Sequence, residues 1–99
     1  MTSLDLTIDL IRANTASQIF ITFDENTKFS ATLSELKVGV AKNQEFRIPF
    51  SFILTIQVLT HIYPQAIYSI EWEGIGQFDI FLVPIGYSSQ GIQYQAVFG

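Results

Sequence analysis

The sequence predicts an all-β, mainly antiparallel domain: a small six-stranded barrel or sandwich with one short N-terminal helix. Three observations predict it. Six runs place apolar side chains at every second position, the period of a strand with one buried face. Short segments rich in Gly, Asn, Asp and Ser separate most of these runs, as hairpin turns require. An interrupted phase near Ser34 and Glu35, and a proline at position 49, are devices that bend strands, and these tip the expectation toward a closed barrel. The chain of 99 residues is taken as a single β domain, 1–99.

The first element is read as a helix over 7–16. Thr7 is placed to cap it, Asp9 suits the positive end of the helix dipole, and Leu10, Ile11 and Ala13 give an apolar side. Asn14 or Ser17 would end it. The competing reading is an N-terminal strand, because Leu4, Leu6, Ile8 and Leu10 alternate with Asp5, Thr7 and Asp9. Residues 18–23 form a strand with Ile19, Ile21 and Phe23 on one face. Asp24 to Thr27 make a polar turn, and 29–34 return with Phe29, Ala31 and Leu33 in phase. Leu36 and Val38 then follow on the opposite phase, which predicts a β-bulge at Ser34 and Glu35.

The longest candidate strand covers 45–56. Phe46, Ile48, Phe50, Phe52, Leu54 and Ile56 share one face; Pro49 argues for an edge position or a bend. A long phenylalanine-rich edge is an aggregation liability unless something covers it, and a second copy of the chain would do so. No internal repeat is visible.

The C-terminal third, 66–98, reads as a three-stranded meander. Tyr68, Ile70 and Trp72 share one face. A turn with Gly74 and Gly76 leads to Phe78, Ile80 and Leu82. Pro84 is expected to end that strand, followed by a polar loop over 86–91 that carries Tyr87. Ile92, Tyr94, Ala96 and Phe98 then alternate with Gln93 and Gln95. Here the segment Phe81-Leu82-Val83-Pro84-Ile85-Gly86, followed by Tyr94-Gln95-Ala96-Val97-Phe98, resembles the closing signature of an uncharacterised bacterial family, a domain of unknown function of about this length. Phe50-Ser51-Phe52 and Tyr68 extend the resemblance. Where that family's pattern has an Arg-Gly-Pro-like turn after the central strand, this chain has Thr55-Ile56-Gln57-Val58. The resemblance implies no assigned chemistry and supplies no catalytic residues.

Composition narrows the function classes. The formal net charge is −4, which argues against a nucleic-acid partner. Cysteine is absent, so thiol catalysis, disulfides and cysteine-ligated metals are excluded. Charged residues make up 14% against the roughly 25% usual for globular domains. Part of the surface must therefore be apolar or uncharged, a hint of contact surfaces. Met1 to Asp5 do not read as a signal peptide, and location is left open between the cytoplasm and non-classical export. Residues 48–70 lack acidic and basic side chains, but Pro49, Ser51, Thr55, Gln57, Thr60, His61, Pro64 and Gln65 interrupt them, so no membrane span is expected.

Single residues offer little chemistry. His61 is the sole histidine and has no acid nearby in sequence, short of the ligand set of a metal site. Glu71, Glu73 and Asp79 flank one hairpin, which reads as a solvated acidic face rather than a calcium cage. Ser51, Ser88 and Ser89 lack a nucleophile-elbow context, and Gly74-x-Gly76 lacks the rest of a phosphate loop. Trp72 and Tyr94 fall in register with core residues, which leaves Tyr87 as the exposed aromatic. No catalytic residue, cofactor or metal is expected. The leading expectation is a non-enzymatic structural or interaction protein that self-associates through strand edges into a homo-oligomer or filament. Its candidate contact residues are Phe20, Phe46, Phe50, Phe52, Ile53, Phe81 and Tyr87, with Val83 also on the outer face. The alternative is a small binding module for a protein or glycan partner, working through the Gly74 and Tyr87 loops.

Overall fold

The computed structural model describes residues 7–40, 49–57 and 62–98. A helix, α1 (Ile8–Ala13), precedes six strands: β1 (Ile19–Asp24), β2 (Thr27–Val38), β3 (Phe50–Ile56), β4 (Ala66–Trp72), β5 (Gly76–Ser88) and β6 (Gly91–Phe98). The strands close into an antiparallel barrel in the order β1-β2-β3-β6-β5-β4. Closure decides between the barrel and the sandwich.

Helix α1 forms where the capping residues allow it. Thr7 is its N-cap, and the Leu10 N–H donates to Thr7 Oγ1 at 3.2 Å. Asp9 lies in the first turn and Arg12 in the last, matching both ends of the dipole. Asn14 ends the helix: its N–H bonds the Ile11 carbonyl, and its side-chain amide donates to the Leu10 carbonyl at 2.8 Å. The strand reading of residues 8–10 is thereby overturned; Leu4, Asp5 and Leu6 lie outside the described residues. So short a helix does not stand alone in water. It is held by Ile11, which is fully buried, and by Ile8, which packs on the core.

The barrel consists of two meanders built to one plan, β1–β2–β3 and β4–β5–β6. They join through the antiparallel pairs β1 with β4 and β3 with β6. In each meander the middle strand is the long one and changes partner along its length. Strand β2 pairs with β1 through Ala31 and with β3 from Thr32; β5 pairs with β4 through Leu82 and with β6 from Val83. Each middle strand also carries a register shift, between Leu33 and Glu35 in β2 and between Pro84 and Gly86 in β5. The first is the bulge that the phase slip predicts. The repetition is one of backbone plan, which is why no repeat shows in the side chains.

Alternation fills the interior. Ile19, Ile21, Phe52, Leu54, Ile70, Trp72, Leu82, Ile92 and Tyr94 are among the buried residues, each large apolar one contributing about 1.5–3 kcal/mol. Phe52 and Trp72 meet edge to face with ring centroids 5.6 Å apart. At the end where β1 finishes and β4 starts, Tyr63 stacks on Phe23 at 4.4 Å. Tyr94 Oη accepts from the Tyr63 N–H at 2.8 Å and donates to the Tyr63 carbonyl at 3.3 Å, and Tyr68 Oη donates to the Pro64 carbonyl.

Three expectations are corrected. Strand β3 is not an edge: β2 pairs on one side of it and β6 on the other. Pro49 lies just before it, where its carbonyl accepts from the Gly39 N–H at 2.7 Å. Pro84 does not end β5 but sits at its bulge, where a missing N–H is tolerated. The loop expected over 86–91 shrinks to a turn at Ser89 and Gln90, and Tyr87 is a strand residue paired with Ile92. The part of the predicted strand over 45–48 lies outside the described residues; the extension toward Leu59 does not form at Gln57, where β3 has ended and the chain turns, and Val58 and Leu59 lie outside the described residues. Among the described residues, no helix is long and apolar enough to cross a membrane.

Candidate functional site

The outer face of β4 and β5 gathers most of the exposed apolar side chains on these two strands. Alternation sends Tyr68, Ile70 and Trp72 inward and Ile67, Ser69 and Glu71 outward; on β5, Gln77, Asp79 and Phe81 point out. The register places Ile67 opposite Phe81, Ser69 opposite Asp79 and Glu71 opposite Gln77. Ile67 is 67% exposed and Phe81 51%. On β6, Val97 is 69% exposed. Counting back from the Val83–Gln95 pair, Val97 falls at the level of Phe81, where β5 and β6 have parted. Ile67 and Phe81 thus form an exposed apolar pair on the outside of the barrel, while Val97 is exposed on β6, which does not pair with β5 at this level.

Part of the rest of this face is paired internally. Lys28 Nζ pairs with Glu71 Oε2 at 2.5 Å and lies over the Phe20 ring, 5.1 Å from its centroid. Gln77 Nε2 donates to Ser69 Oγ at 3.1 Å. Phe20 is therefore half-covered, although it stands on the outer face as expected.

Each expected contact residue has a definite place. Phe50 and Phe52 are buried core residues and leave the candidate surface. They stack with Phe98 at 4.7 and 5.7 Å, because β3 turns its phenylalanines into the barrel. Ile53 is half-buried between Glu35 and Gln95, and Val83, opposite Gln95, is also half-buried. Phe81 and Tyr87 are exposed. Phe46 and His61 lie outside the described residues. The sequence reading misses Ile67 and Val97, although the signal is present: each sits out of phase with core-facing neighbours, Ala66 and Tyr68 for the first, Ala96 and Phe98 for the second.

The Gly74 turn is occupied from within. Trp72 Nε1 donates to the Asn14 carbonyl at 3.0 Å, and the Glu73 N–H donates to the Gln18 carbonyl at 2.9 Å. Gly74 has φ +90°, and a Cβ there would lie 2.0 Å from Asn14 Oδ1. The turn is packed on the end of α1. A groove of about 390 Å³ beside it runs from Phe20 to Gly76 and holds Glu71 and Glu73. Among the described residues, no group of three or more His, Cys, Asp or Glu side chains converges as a metal site would require. Burial raises the Tyr68 and Tyr94 hydroxyl pKa values, with neighbouring tyrosines adding to the effect; for Tyr94 the Tyr63 backbone bond opposes it.

A family model described as a domain of unknown function, DUF6916, matches residues 6–98. The chain belongs to this family. The match spans both meanders and the helix, so the family corresponds to the whole barrel. Comparison of this DUF6916 domain with curated proteins and with solved structures gave no match.

Proposed function

We propose that this DUF6916 domain is a non-enzymatic structural or interaction module that self-associates into a homo-oligomer. The observation that carries the reading is the exposed apolar pair Ile67 and Phe81, set directly opposite each other on neighbouring strands. Scattered surface hydrophobes are ordinary, but two large ones left exposed directly opposite each other on neighbouring strands suit a contact surface. The low charge content supports the same reading, because few charges oppose contact between copies. Mass by light scattering over a concentration series tests it. The chain is expected to exceed monomer mass as concentration rises, and the Phe81→Lys variant is expected to stay monomeric. A monomer at every concentration overturns the reading.

A second reading is a module for a protein or glycan partner, supported by Tyr87. It is 71% exposed near the β5–β6 turn, with Ile85 also exposed. Tyr87→Ala would then weaken partner binding without lowering stability. The Gly74 turn, filled by Asn14, does not support this reading.

A further inference from the structure

Strand β5 offers more than an apolar side chain. Its residues 76–82 pair with β4 on one side only, because pairing with β6 begins at Val83. Among the described residues, no other strand pairs with this stretch, and no turn or loop backbone bonds to it. In an antiparallel strand, alternate residues turn their N–H and C=O away from the existing partner. Half of this stretch therefore presents backbone donors and acceptors outward. The equivalent half-edge of β2, residues 32–38, pairs only with β3. That one carries Glu35 and Lys37, 3.8 Å apart and both exposed, the charged guard that natural edges use. The β5 half-edge carries a single charge, Asp79, beside Phe81.

The geometry points to a second copy of the same half-edge as the occupant of β5 residues 76–82, paired antiparallel about a two-fold axis. This rests on the self-association reading and gives it a mode. The surface is self-complementary, as a closed dimer requires. Pairing extends the sheet already formed by β2, β1, β4 and β5 into its two-fold copy, with Phe81 of each protomer flanking the new seam. The longest ladder that the free stretch allows centres on Asp79, which then faces the partner's Asp79. Like charges directly opposite weaken a strand pair. Asp79 thus limits the association and keeps it reversible.

Single-cysteine variants test this cleanly, because the chain has no cysteine. Opposed residues of an antiparallel pair lie about 4.5–5.5 Å apart at Cα, within disulfide range. Asp79→Cys is therefore expected to give a cross-linked dimer under mild oxidation. Ile67 lies one strand further in and level with Phe81, so two copies of it stand about 14 Å apart across the strands and about 13 Å apart along them, roughly 19 Å in all. Ile67→Cys is expected not to cross-link. Cross-linking through Ile67→Cys and not through Asp79→Cys means face packing: self-association stands and edge pairing is overturned. No cross-link in either variant, with a monomer mass throughout, overturns both. Both positions are exposed, so neither variant threatens the fold. Asp79→Asn supplies an independent arm: it is expected to tighten association roughly two- to five-fold, and looser association overturns the Asp79-centred pairing.

Discussion

Ile67 and Phe81 stand directly opposite each other on neighbouring strands, and each keeps more than half of its surface in water. Folding brings them together without hiding them. Phe78 and Ile80, on the other face of the same strand, are almost wholly buried. Stability and association should therefore separate along β5. Phe81→Thr is expected to change unfolding free energy by no more than about 0.5 kcal/mol while reducing self-association. Phe78→Ala should cost about 3–5 kcal/mol. Urea denaturation at a concentration where the protein is monomeric checks both, with the slope unchanged for Phe81→Thr.

The parts of this arrangement that follow a local period were legible in the sequence. Thr7 and Asn14 bracket α1, the slip after Leu33 marks the bulge in β2, and the alternation of Ile92, Tyr94 and Ala96 marks β6. What failed depends on who pairs with whom. A proline beside a phenylalanine-rich run looks like an edge, and only closure of the barrel shows β3 to be paired on both sides. Pro84 looks like a stop, yet a bulge removes the need for its N–H. The same non-local information decides the candidate surface. Phe50 and Phe52 are as apolar as Phe81, but their strand turns them inward.

Gly91 opens β6 against the end of β3. It has φ +138°, and a Cβ there would lie 2.3 Å from the Ile56 carbonyl oxygen and 2.8 Å from Gln57 Cα. Every one of these close neighbours is backbone, which leaves no flexible group to give way. Gly91→Ala is expected to cost at least the roughly 1–3 kcal/mol of a strained backbone position. Gly74→Ala meets only the tip of the Asn14 side chain and should cost less. Comparing the two thermal midpoints tests the ranking.

Trp72 ties β4 to the end of α1. Its ring is buried, and its N–H is satisfied by the Asn14 carbonyl. Trp72→Phe removes that donor and leaves ring volume unfilled. The expected loss is about 2–4 kcal/mol, combining an orphaned acceptor with a cavity. Amide exchange should rise first in α1, because the helix is too short to persist without its anchor.

Tyr94 holds Tyr63 by both its N–H and its carbonyl, and so fastens the segment before β4 to the barrel. Two consequences follow. Tyr94→Phe leaves both Tyr63 groups without this partner and should cost about 1–3 kcal/mol at neutral pH. The pH dependence has a definite sign. Burial raises the Tyr94 and Tyr68 pKa values above the unfolded value near 10. Above about pH 10 the unfolded chain releases protons that the folded chain retains, so stability falls with rising pH there and is fully present below it. Tyr94→Phe removes one of these groups and should flatten the alkaline decline relative to the parent protein. Urea midpoints measured from neutral pH to above pH 11 check this, and parallel curves for the two proteins would mean that Tyr94 does not contribute to it.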